Sequence, residues 1–291
     1  MTVLILTKES THKYETEKLE ISFNERNLKA RIGYFKDFDI IANYGIFHNG
    51  EPFEMPQLVL VRLGAGITNT ELAIIKYFEL FGIPCINSSS SIAAARDKYH
   101  SSHILQHGGI AIPTTMLVKH SKPNNLVGSK IGFPCIVKVV IGSFGNGVYF
   151  VNSEQEYFKL IEFLHSTGNK KTLIVQEYLG DVPGEDLRVL VIGGGVVGAM
   201  RRTAPVGDFR ANISNGGTGS SYPITAEIAE IALTAANLLG LDIAGVDLLF
   251  DNRGFRVCEV NSNPGYSGFD QFCSTNVADH IATYIERKLG L

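Results

Sequence analysis

Short apolar runs alternate with helical patterns in the first third of the chain. Runs of strand length lie at residues 3–7, 58–62 and 83–87. Apolar residues at helical spacing predict one helix over 70–81 and a second over 92–105, the second after a polar turn of serines. Strands separated by helices are typical of a small parallel sheet. We therefore expect an open α/β domain over residues 1–95.

The pattern changes after residue 95. An amphipathic helix at 153–164 predicts a compact α+β unit over 96–172, with strands at 114–118, 135–140 and 148–151. A third unit over 173–291 has a helix at 226–239 and strands at 173–178, 187–192, 196–201, 245–250 and 256–260. Short glycine-containing turns between strand pairs favour antiparallel pairing in this unit. The predicted fold class is mixed α/β (α+β) in three units.

Composition limits the possible functions. The 291 residues are 45% hydrophobic and 19% charged, which suits a folded protein with a sizeable core and excludes disorder. Lys and Arg total 26 against 29 Asp and Glu, so no general basic surface favours nucleic acid or an anionic membrane. Apolar runs are far shorter than the roughly 20 residues of a membrane span, and no signal-peptide pattern opens the chain. We expect a cytoplasmic protein without nucleic-acid or membrane partners, with buried free thiols at Cys85, Cys135 and Cys258.

A cluster of oxygen donors stands near the C-terminus. Asp247 lies in an apolar strand pattern, Glu259 closes the next one, and Asn261 follows two residues later. Residues i and i+2 of a strand share a face, and a neighbouring strand can bring Asp247 beside them. Sets of oxygen ligands suit Mg²⁺ and not Zn²⁺. The cluster predicts a magnesium site, and the alternative is a polar strand end at the surface.

A glycine-rich segment follows a lysine in the second unit. It begins four residues after Lys138 and comprises Gly142, Ser143, Phe144, Gly145, Asn146 and Gly147. Such a loop lets backbone N–H groups approach phosphate oxygens, and the lysine adds a point charge. No Lys-Ser or Lys-Thr follows the last glycine, so this is not a Walker A loop. A simple hairpin turn is the alternative.

Arginines gather in the third unit. Arg201 and Arg202 are adjacent and Arg210 follows eight residues later, which suggests an anion clamp beside turn-forming glycines. Arg188 stands in an apolar strand after two carboxylates, where a structural ion pair is the alternative.

Two other patterns are interpreted as structural. A GxGxxG match starts at Gly193, but no long helix follows it, so a glycine-rich hairpin is favoured over a dinucleotide site. His103 and His107 lie at helical spacing without a third ligand at metal spacing, which disfavours a metal site there.

Taken in order, the motifs resemble those of the ATP-grasp ligases, and more narrowly those of the RimK-like glutamate ligases. The resemblance spans nearly the whole chain and is carried by Arg96-Asp97-Lys98, Lys138 with its glycine loop, Gln176-Glu177-Tyr178, Asp186-Leu187-Arg188, Arg201-Arg202, Asp208 to Asn212, Gly245-Val246-Asp247 and Glu259 to Gly265. It implies an ATP-grasp fold with an N-terminal open α/β pre-ATP-grasp domain over 1–95, a central lid domain over 96–172 and a C-terminal antiparallel-sheet domain over 173–291. ATP would lie between the last two domains.

The resemblance also implies a role for single residues. The implied nucleotide-binding set is Lys98, Lys138, the glycine loop, Gln176, Glu177, Tyr178, Asp186 and Arg188. In this set the two lysines contact the phosphates, Glu177 and Tyr178 line the adenine and hinge region, and Asp186 holds the ribose. The metal set, Asp247, Glu259 and Asn261, would bind two Mg²⁺ ions, with Mn²⁺ as a possible substitute.

The implied reaction joins a carboxylate to an amine. The carboxylate attacks the γ-phosphate of ATP, giving an acylphosphate and ADP, and an amine then attacks to form an amide. Arg202, Arg210 and Asn212 are the catalytic candidates, because phosphoryl transfer depends on positioning and charge neutralisation. No general base is obvious, and Asp208 or a phosphate oxygen is the candidate proton acceptor. Expected partners are ATP, an amino acid and a carboxylate acceptor such as a peptide, a protein C-terminus or a metabolite, within a homo-oligomer.

One segment departs from the family pattern. Ser214 and Asn215 occupy positions where the glutamate ligases usually carry a His-Arg pair before two glycines. The expected amino acid is glutamate, but the lost cation leaves another α-amino acid open. A non-catalytic ATP-binding sensor or scaffold is the alternative function, and a dinucleotide-dependent oxidoreductase is a third. The set of metal ligands favours the ligase.

Overall fold

A parallel sheet organises the N-terminal part of the chain. The computed structural model describes residues 1–8, 13–64, 66–118, 125–141, 147–166, 172–213 and 216–291. Its first elements are β1 (Thr2–Thr7), α1 (Lys13–Glu25), β2 (Lys29–Tyr34), β3 (Phe38–Ile41), β4 (Gly45–His48), β5 (Glu51–Pro52), β6 (Leu58–Arg62), α2 (Asn69–Leu80), β7 (Cys85–Ile86) and α3 (Ser89–Arg96). Strands β2-β1-β6-β7 are parallel, as the alternation of strands and helices predicts. In β1, Val3 and Ile5 enter one core cluster and Leu4 and Leu6 enter another, so both faces of the sheet are covered.

The hydrophobic pattern alone does not predict α1. This helix buries five residues, and three of them are Glu15, Thr16 and Ser22. Its buried face is therefore too polar to show the apolar periodicity on which the prediction depends. The small antiparallel sheet β3-β4-β5 was also not predicted.

The single helix predicted over 92–105 is wrong, because the structure has two helices there. They are α3 and α4 (Lys98–His107). The carboxylate of Asp97 accepts hydrogen bonds from the backbone nitrogens of Tyr99 at 3.0 Å and His100 at 2.9 Å. Asp97 is thus the N-cap of a new helix, since a capping carboxylate satisfies N–H groups that have no partner within the helix. The break places Lys98 in the first turn of α4.

A second, antiparallel sheet follows. Its elements are β8 (Thr115–Val118), α5 (Leu126–Lys130), β9 (Cys135–Val139), β10 (Val148–Val151), α6 (Glu154–Ser166) and β11 (Leu173–Glu177). The strand order is β10-β9-β11-β8. Strand β11, which follows residue 172, pairs with β9 and β8 and so belongs to this sheet.

The third sheet is antiparallel and has the order β14-β13-β12-β15-β16. Its elements are β12 (Glu185–Ile192), β13 (Gly195–Thr203), β14 (Thr218–Ser221), α7 (Ala226–Leu238), β15 (Ile243–Asp251), β16 (Gly254–Asn261), α8 (Ser267–Phe272) and α9 (Val277–Leu289). The GxGxxG match is a hairpin turn, as predicted. Gly193 and Gly194 have φ angles of +57° and +78°, which suit the tight turn that joins β12 to β13.

The third sheet packs against the first part of the chain. On one face, α7 covers a cluster that includes Val189, Val246 and Leu248. On the other face, one cluster joins Leu190 of β12 and Ile281 of α9 with Val3 of β1. The chain that follows β16 thereby packs against one face of the first sheet. Within the described ranges, no helix combines the length and apolar character needed to cross a membrane.

Candidate functional site

A cavity between the second and third sheets collects most of the predicted site residues. Those that line it are Lys98, Lys138, Gln176, Glu177, Tyr178, Asp186, Arg202, Arg210, Asn212, Asp247 and Glu259. They come from segments that are far apart along the chain, including α4, β9, β11 and β16. Arg188, Asn261 and Gly147 are described but do not line the cavity. The predicted glycine-loop residues Gly142, Ser143, Phe144, Gly145 and Asn146 lie outside the described residues.

The oxygen donors meet on neighbouring strands. Asp247 of β15 lies opposite Glu259 of β16, and Asn261 Nδ2 donates to Glu259 Oε1 at 3.3 Å. Lys98 Nζ lies 3.4 Å from Glu259 Oε2. Burial raises the pKa of Glu259, but Lys98, Lys138 and Arg188 outweigh this effect and hold the pKa at about 2. Glu259 is therefore an anion at neutral pH and can attract a cation.

Four charged side chains share one face of the third sheet. Asp186 and Arg188 are i and i+2 on β12, Arg202 lies opposite Asp186, and Asp247 lies opposite Arg188. Arg188 donates to both oxygens of Asp247, at 2.7 and 2.6 Å, and Arg202 donates to both oxygens of Asp186, at 2.6 Å. Burial lowers the pKa of Arg202, but Asp247 and Asp186 reverse this effect and raise it overall. The guanidinium therefore stays charged.

The predicted anion clamp is not an assembly of arginines that face one point. Arg201 pairs with Glu185, Arg202 with Asp186 and Asp247, and Arg210 with Asp208. Arg188 is in an ion pair, which was the alternative for this residue. The sequence shows where the cations lie along the chain, but the carboxylate that neutralises each one is decided by strand register.

Asp208 is a weak candidate for the proton acceptor. Its hydrogen bonds with Arg210 lower the pKa of Asp208 to about 2. A carboxylate with so low a pKa accepts a proton poorly at neutral pH.

Lys138 is oriented by neighbouring polar side chains. Its Nζ donates to Gln176 Oε1 at 2.7 Å, and Gln176 Nε2 donates to Thr115 Oγ1 at 3.1 Å. These contacts cross the strands β9, β11 and β8 in order. Lys138 therefore points into the cavity as a positioned point charge.

Apolar and aromatic side chains line the cavity beside its charged residues. Most of these apolar residues are not among the site residues predicted from the sequence. The missed lining residues with apolar side chains are Ile136, Val139, Val148, Leu179, Val182, Phe209, Ala211 and Leu249. Tyr178 and Phe209 each pack against Phe150, with ring centroids 4.8 and 5.6 Å apart. The side chain of Glu177 accepts from Arg256 and from the backbone nitrogen of Thr114, each at 3.0 Å. An apolar cleft with a charged floor suits a ligand that has a flat apolar part and an anionic part.

Cys258 lines the cavity, although the apolar pattern of its strand does not predict this position. It was expected to be buried among apolar residues, but it is only partly buried and its Sγ lies 3.5 Å from Lys138 Nζ. The register changes from Asp247 opposite Glu259 to Leu248 opposite Val257, so Cys258 is the extra residue of a β-bulge. The bulge breaks the alternation of side chains, and both Cys258 and Glu259 face the cavity. A register irregularity of this kind has no signal in a single sequence.

The donor set fits a hard divalent cation in part. Glu259 and Asn261 are i and i+2 on β16, and their side chains are in contact. Both carry oxygen atoms, the ligand type that Mg²⁺ prefers. Both oxygens of Asp247 are held by guanidinium groups, so this carboxylate must loosen from Arg188 or Arg202 before it can act as a ligand. Among the described residues, no cluster of three His, Cys, Asp or Glu side chains is placed to hold a metal. The fit thus rests on two carboxylates and one amide, without a third carboxylate.

Comparison with known proteins gives consistent matches over the chain. Residues 95–285 match a model for the RimK-like ATP-grasp domain, and residues 1–92 match one for the RimK PreATP-grasp domain. A protein of Coxiella burnetii named "Probable alpha-L-glutamate ligase" is 38% identical over 246 residues, which cover 84% of this chain and 80% of the relative. A protein of the same name from Maridesulfovibrio salexigens is 34% identical over 279 residues, with 94% and 92% coverage. The solved structure of the ATP-grasp ligase PsnB with a precursor variant, Mg and ADP superposes with a TM-score of 0.76 at 19% identity, covering 98% of each chain.

Proposed function

Because this chain belongs to the RimK-like ATP-grasp family of ligases, we propose that it forms an amide bond through an acylphosphate, using ATP. The amine comes from an α-amino acid, with glutamate the first choice, and the carboxylate from a peptide C-terminus or a small metabolite. One observation carries this proposal. A cavity between two sheets has Lys98 and Lys138 at the same end as the paired donors Glu259 and Asp247.

The relatives support the choice of substrates. Two curated relatives are named as glutamate ligases, and PsnB has been solved with Mg, ADP and a peptide precursor variant. By analogy we assign residues 1–95 to a pre-ATP-grasp domain, 96–172 to a lid and 173–291 to a C-terminal domain, whose first strand, β11, completes the sheet of the lid. Analogy of fold does not decide the substrate, so the identity of the amino acid rests on experiment.

The nucleotide lies in the cavity in this proposal. The adenine enters between the apolar walls near Tyr178 and Leu179, and the phosphates reach Lys98 and Lys138. Asp186 lines the same cavity and would hold the ribose once its contact with Arg202 adjusts. The glycines in the sequence of segment 142–147 favour close approach of backbone N–H groups to phosphate oxygens.

Glu259, Asn261 and Asp247 would hold the magnesium ions. When bound there, magnesium would supply positive charge to neutralise the phosphates. The chain's own contribution is an anionic Glu259, with a pKa of about 2, held beside two lysines that also face the phosphates.

The chemistry then proceeds in two balanced steps. A carboxylate oxygen of the acceptor attacks the γ-phosphorus, the bond to the β–γ bridging oxygen breaks, and ADP leaves. The amino group attacks the acyl carbon, a C–N bond forms, phosphate leaves, and the ammonium proton passes to a phosphate oxygen. Arg210 and Asn212 line the same cavity. In this proposal they stabilise the charge on the transferring phosphoryl group and on the tetrahedral intermediate. Arg202 also lines the cavity, and its charge becomes available to the phosphates when Asp186 and Asp247 loosen from it.

The test measures ADP release from ATP and Mg²⁺ across a panel of amino acids, with and without carboxylate acceptors. We expect turnover that needs both substrates and that falls about 100-fold or more in Glu259→Gln, because the phosphate charge is then poorly neutralised. The matched control is Glu230→Gln on the exposed side of α7, which should retain full activity. ATP binding without turnover under any pairing would favour the sensor function. Equal activity in Glu259→Gln would contradict the proposed site.

A further inference from the structure

Asn87 joins the first sheet to the strands that carry the oxygen donors. It directly follows β7 and is 2% exposed. Its Nδ2 donates to the carbonyl oxygens of Ile243 and Ser262, each at 2.7 Å, and its Oδ1 accepts from the backbone nitrogen of Ile243 at 2.9 Å. All three hydrogen bonds of this amide are buried. Asn87 therefore fixes the position of Ile243, the first residue of β15, relative to Ser262, which follows Asn261.

Arg62 holds the same segment from the adjacent strand. It ends β6, is 1% exposed, and its Nη2 donates to the carbonyl oxygen of Pro264 at 3.1 Å. The guanidinium carbon of Arg62 lies 5.5 Å from the ring centroid of Tyr266. Thr7 Oγ1 donates to the backbone carbonyl oxygen of Arg62 at 3.1 Å. Its Nε is buried and has no hydrogen-bond partner among the described residues.

Burying the amide of Asn87 and the guanidinium of Arg62 removes polar groups from water, which lowers the stability of the fold unless hydrogen bonds compensate. Taking a guanidinium out of water is unfavourable, and a leucine would fill the end of β6 without that cost. The buried hydrogen bonds of Arg62 and Asn87 go to carbonyl oxygens of Pro264 and Ser262, which lie just beyond the last paired residue of β16. The ladder of the third sheet does not hold the backbone there.

The geometry points to Asn87 and Arg62 as positioning residues for the divalent cation site. They hold the carbonyl groups of Ser262 and Pro264, and so fix the backbone that sets the side chain of Asn261 beside Glu259. This inference rests on the proposed function, because it assumes that Glu259 and Asn261 bind the metal. It adds that the first sheet, which lies outside the nucleotide cavity, controls the affinity of that site.

Gly64 packs closely against Asn263, so a small substitution at Gly64 can displace the segment from Ser262 to Pro264 slightly. A Cβ atom on Gly64, two residues after Arg62, would lie 3.1 Å from the Cβ atom of Asn263. Gly64→Ala should therefore shift Asn263 by a few tenths of an ångström without removing a hydrogen bond. This variant tests the segment even if a change at Asn87 or Arg62 prevents folding.

The experiment is a titration with Mn²⁺ of the full chain in the presence of ADP, in which the loss of the free-Mn²⁺ signal in electron paramagnetic resonance beyond that caused by the same concentration of ADP alone measures binding to the protein. This readout needs no turnover. Changes in residues that support metal ligands typically weaken affinity about 10- to 100-fold, and we expect Asn87→Asp and Arg62→Gln to weaken Mn²⁺ binding by about tenfold. Gly64→Ala should have a smaller effect in the same direction, and Arg62→Lys should show a smaller loss than Arg62→Gln because it retains the positive charge as well as N–H donors.

The matched control is Arg26→Gln. Arg26, which directly follows α1, pairs with Asp279 and Glu286 on α9, so it joins the same two parts of the molecule at a place away from the donors. We expect this variant to lose thermal stability and to bind Mn²⁺ as tightly as the unchanged protein. If the Asn87, Arg62 and Gly64 variants that fold also bind Mn²⁺ with unchanged affinity, the inference is wrong while the proposed function stands. If the unchanged protein with ADP binds no Mn²⁺, the proposed function and this inference fall together.

Discussion

Arg188 and Asp247 lie opposite each other on β12 and β15, and the guanidinium donates to both carboxylate oxygens at 2.7 and 2.6 Å. The two residues are 59 positions apart in the chain. Arg202 Nη2 lies 3.0 Å from the same carboxylate and also holds Asp186. Two cations and two anions thus neutralise one another inside the third sheet, where an unpaired charge would be costly.

This network makes single substitutions more damaging than paired ones. Removing one partner of a buried ion pair typically costs about 3–5 kcal/mol of unfolding free energy. We expect Asp247→Leu to fall in this range, because Arg188 loses its partner, and Arg188→Leu to lose less, because Arg202 still pairs with Asp247. The double variant should lose less than the sum of the two, since Arg188 is then not left without its carboxylate. Urea unfolding of all four proteins measures the coupling. Strictly additive losses would show that the pair contributes nothing to stability.

Acid stability should depend on Glu259. Its pKa in the folded chain is about 2, below the ordinary value of 4.5, because two lysines and Arg188 outweigh the effect of burial. The lowered pKa means that the folded state favours the ionised form, which stabilises the fold above about pH 4.5 and loses this effect as the pH falls towards 2. Glu259→Gln should therefore show a flatter decline of unfolding free energy across this interval. Glu230→Gln should decline as the unchanged protein does, and equal slopes in all three would contradict the low pKa.

Cys258 should report on nucleotide binding. Burial raises the pKa of this thiol, so alkylation by iodoacetamide should be slow at neutral pH and faster in alkaline solution. Because Cys258 lines the cavity beside Lys138, ADP with Mg²⁺ should protect it. Mass spectrometry of labelled peptides checks this, with Cys273 as the internal control because it lies outside the lining. Labelling of Cys258 at the same rate with and without nucleotide would place the nucleotide elsewhere.

Gln176 should act through Lys138. Its Oε1 accepts from Lys138 Nζ at 2.7 Å, and a hydrogen bond to a charged group contributes about 1.5–3 kcal/mol. We expect Gln176→Leu to raise KM for ATP about 10- to 100-fold. Thr115→Val should have a smaller effect, since Gln176 keeps its bond to Lys138 when the contact with Thr115 is lost. Steady-state kinetics compares the two, and a larger effect from Thr115→Val would contradict this order of contacts.

Local pattern was enough to find most strands and the chemistry they carry. The runs that became β6, β9 and β12 are placed within two residues, because short apolar stretches rich in β-branched residues and bounded by glycine or polar turns are typical of buried strands. The hairpin at Gly193 followed from two adjacent glycines between such stretches. In contrast, Asp97 ended one helix and began another through a capping bond that a periodicity of apolar residues does not register.

The sequence by itself determined the kinds of side chain available, their alternation along each strand and, through the order of motifs, the family. Only the tertiary structure decided which carboxylate neutralises Arg188 or Arg202, that a bulge turns both Cys258 and Glu259 into the cavity, and that Asn87 and Arg62 hold the segment after Asn261. The physical reason is the range of the forces involved. Helix and strand formation depends on neighbours within a few residues, whereas ion pairs and buried hydrogen bonds depend on register between segments far apart in the chain, which a periodic pattern does not encode.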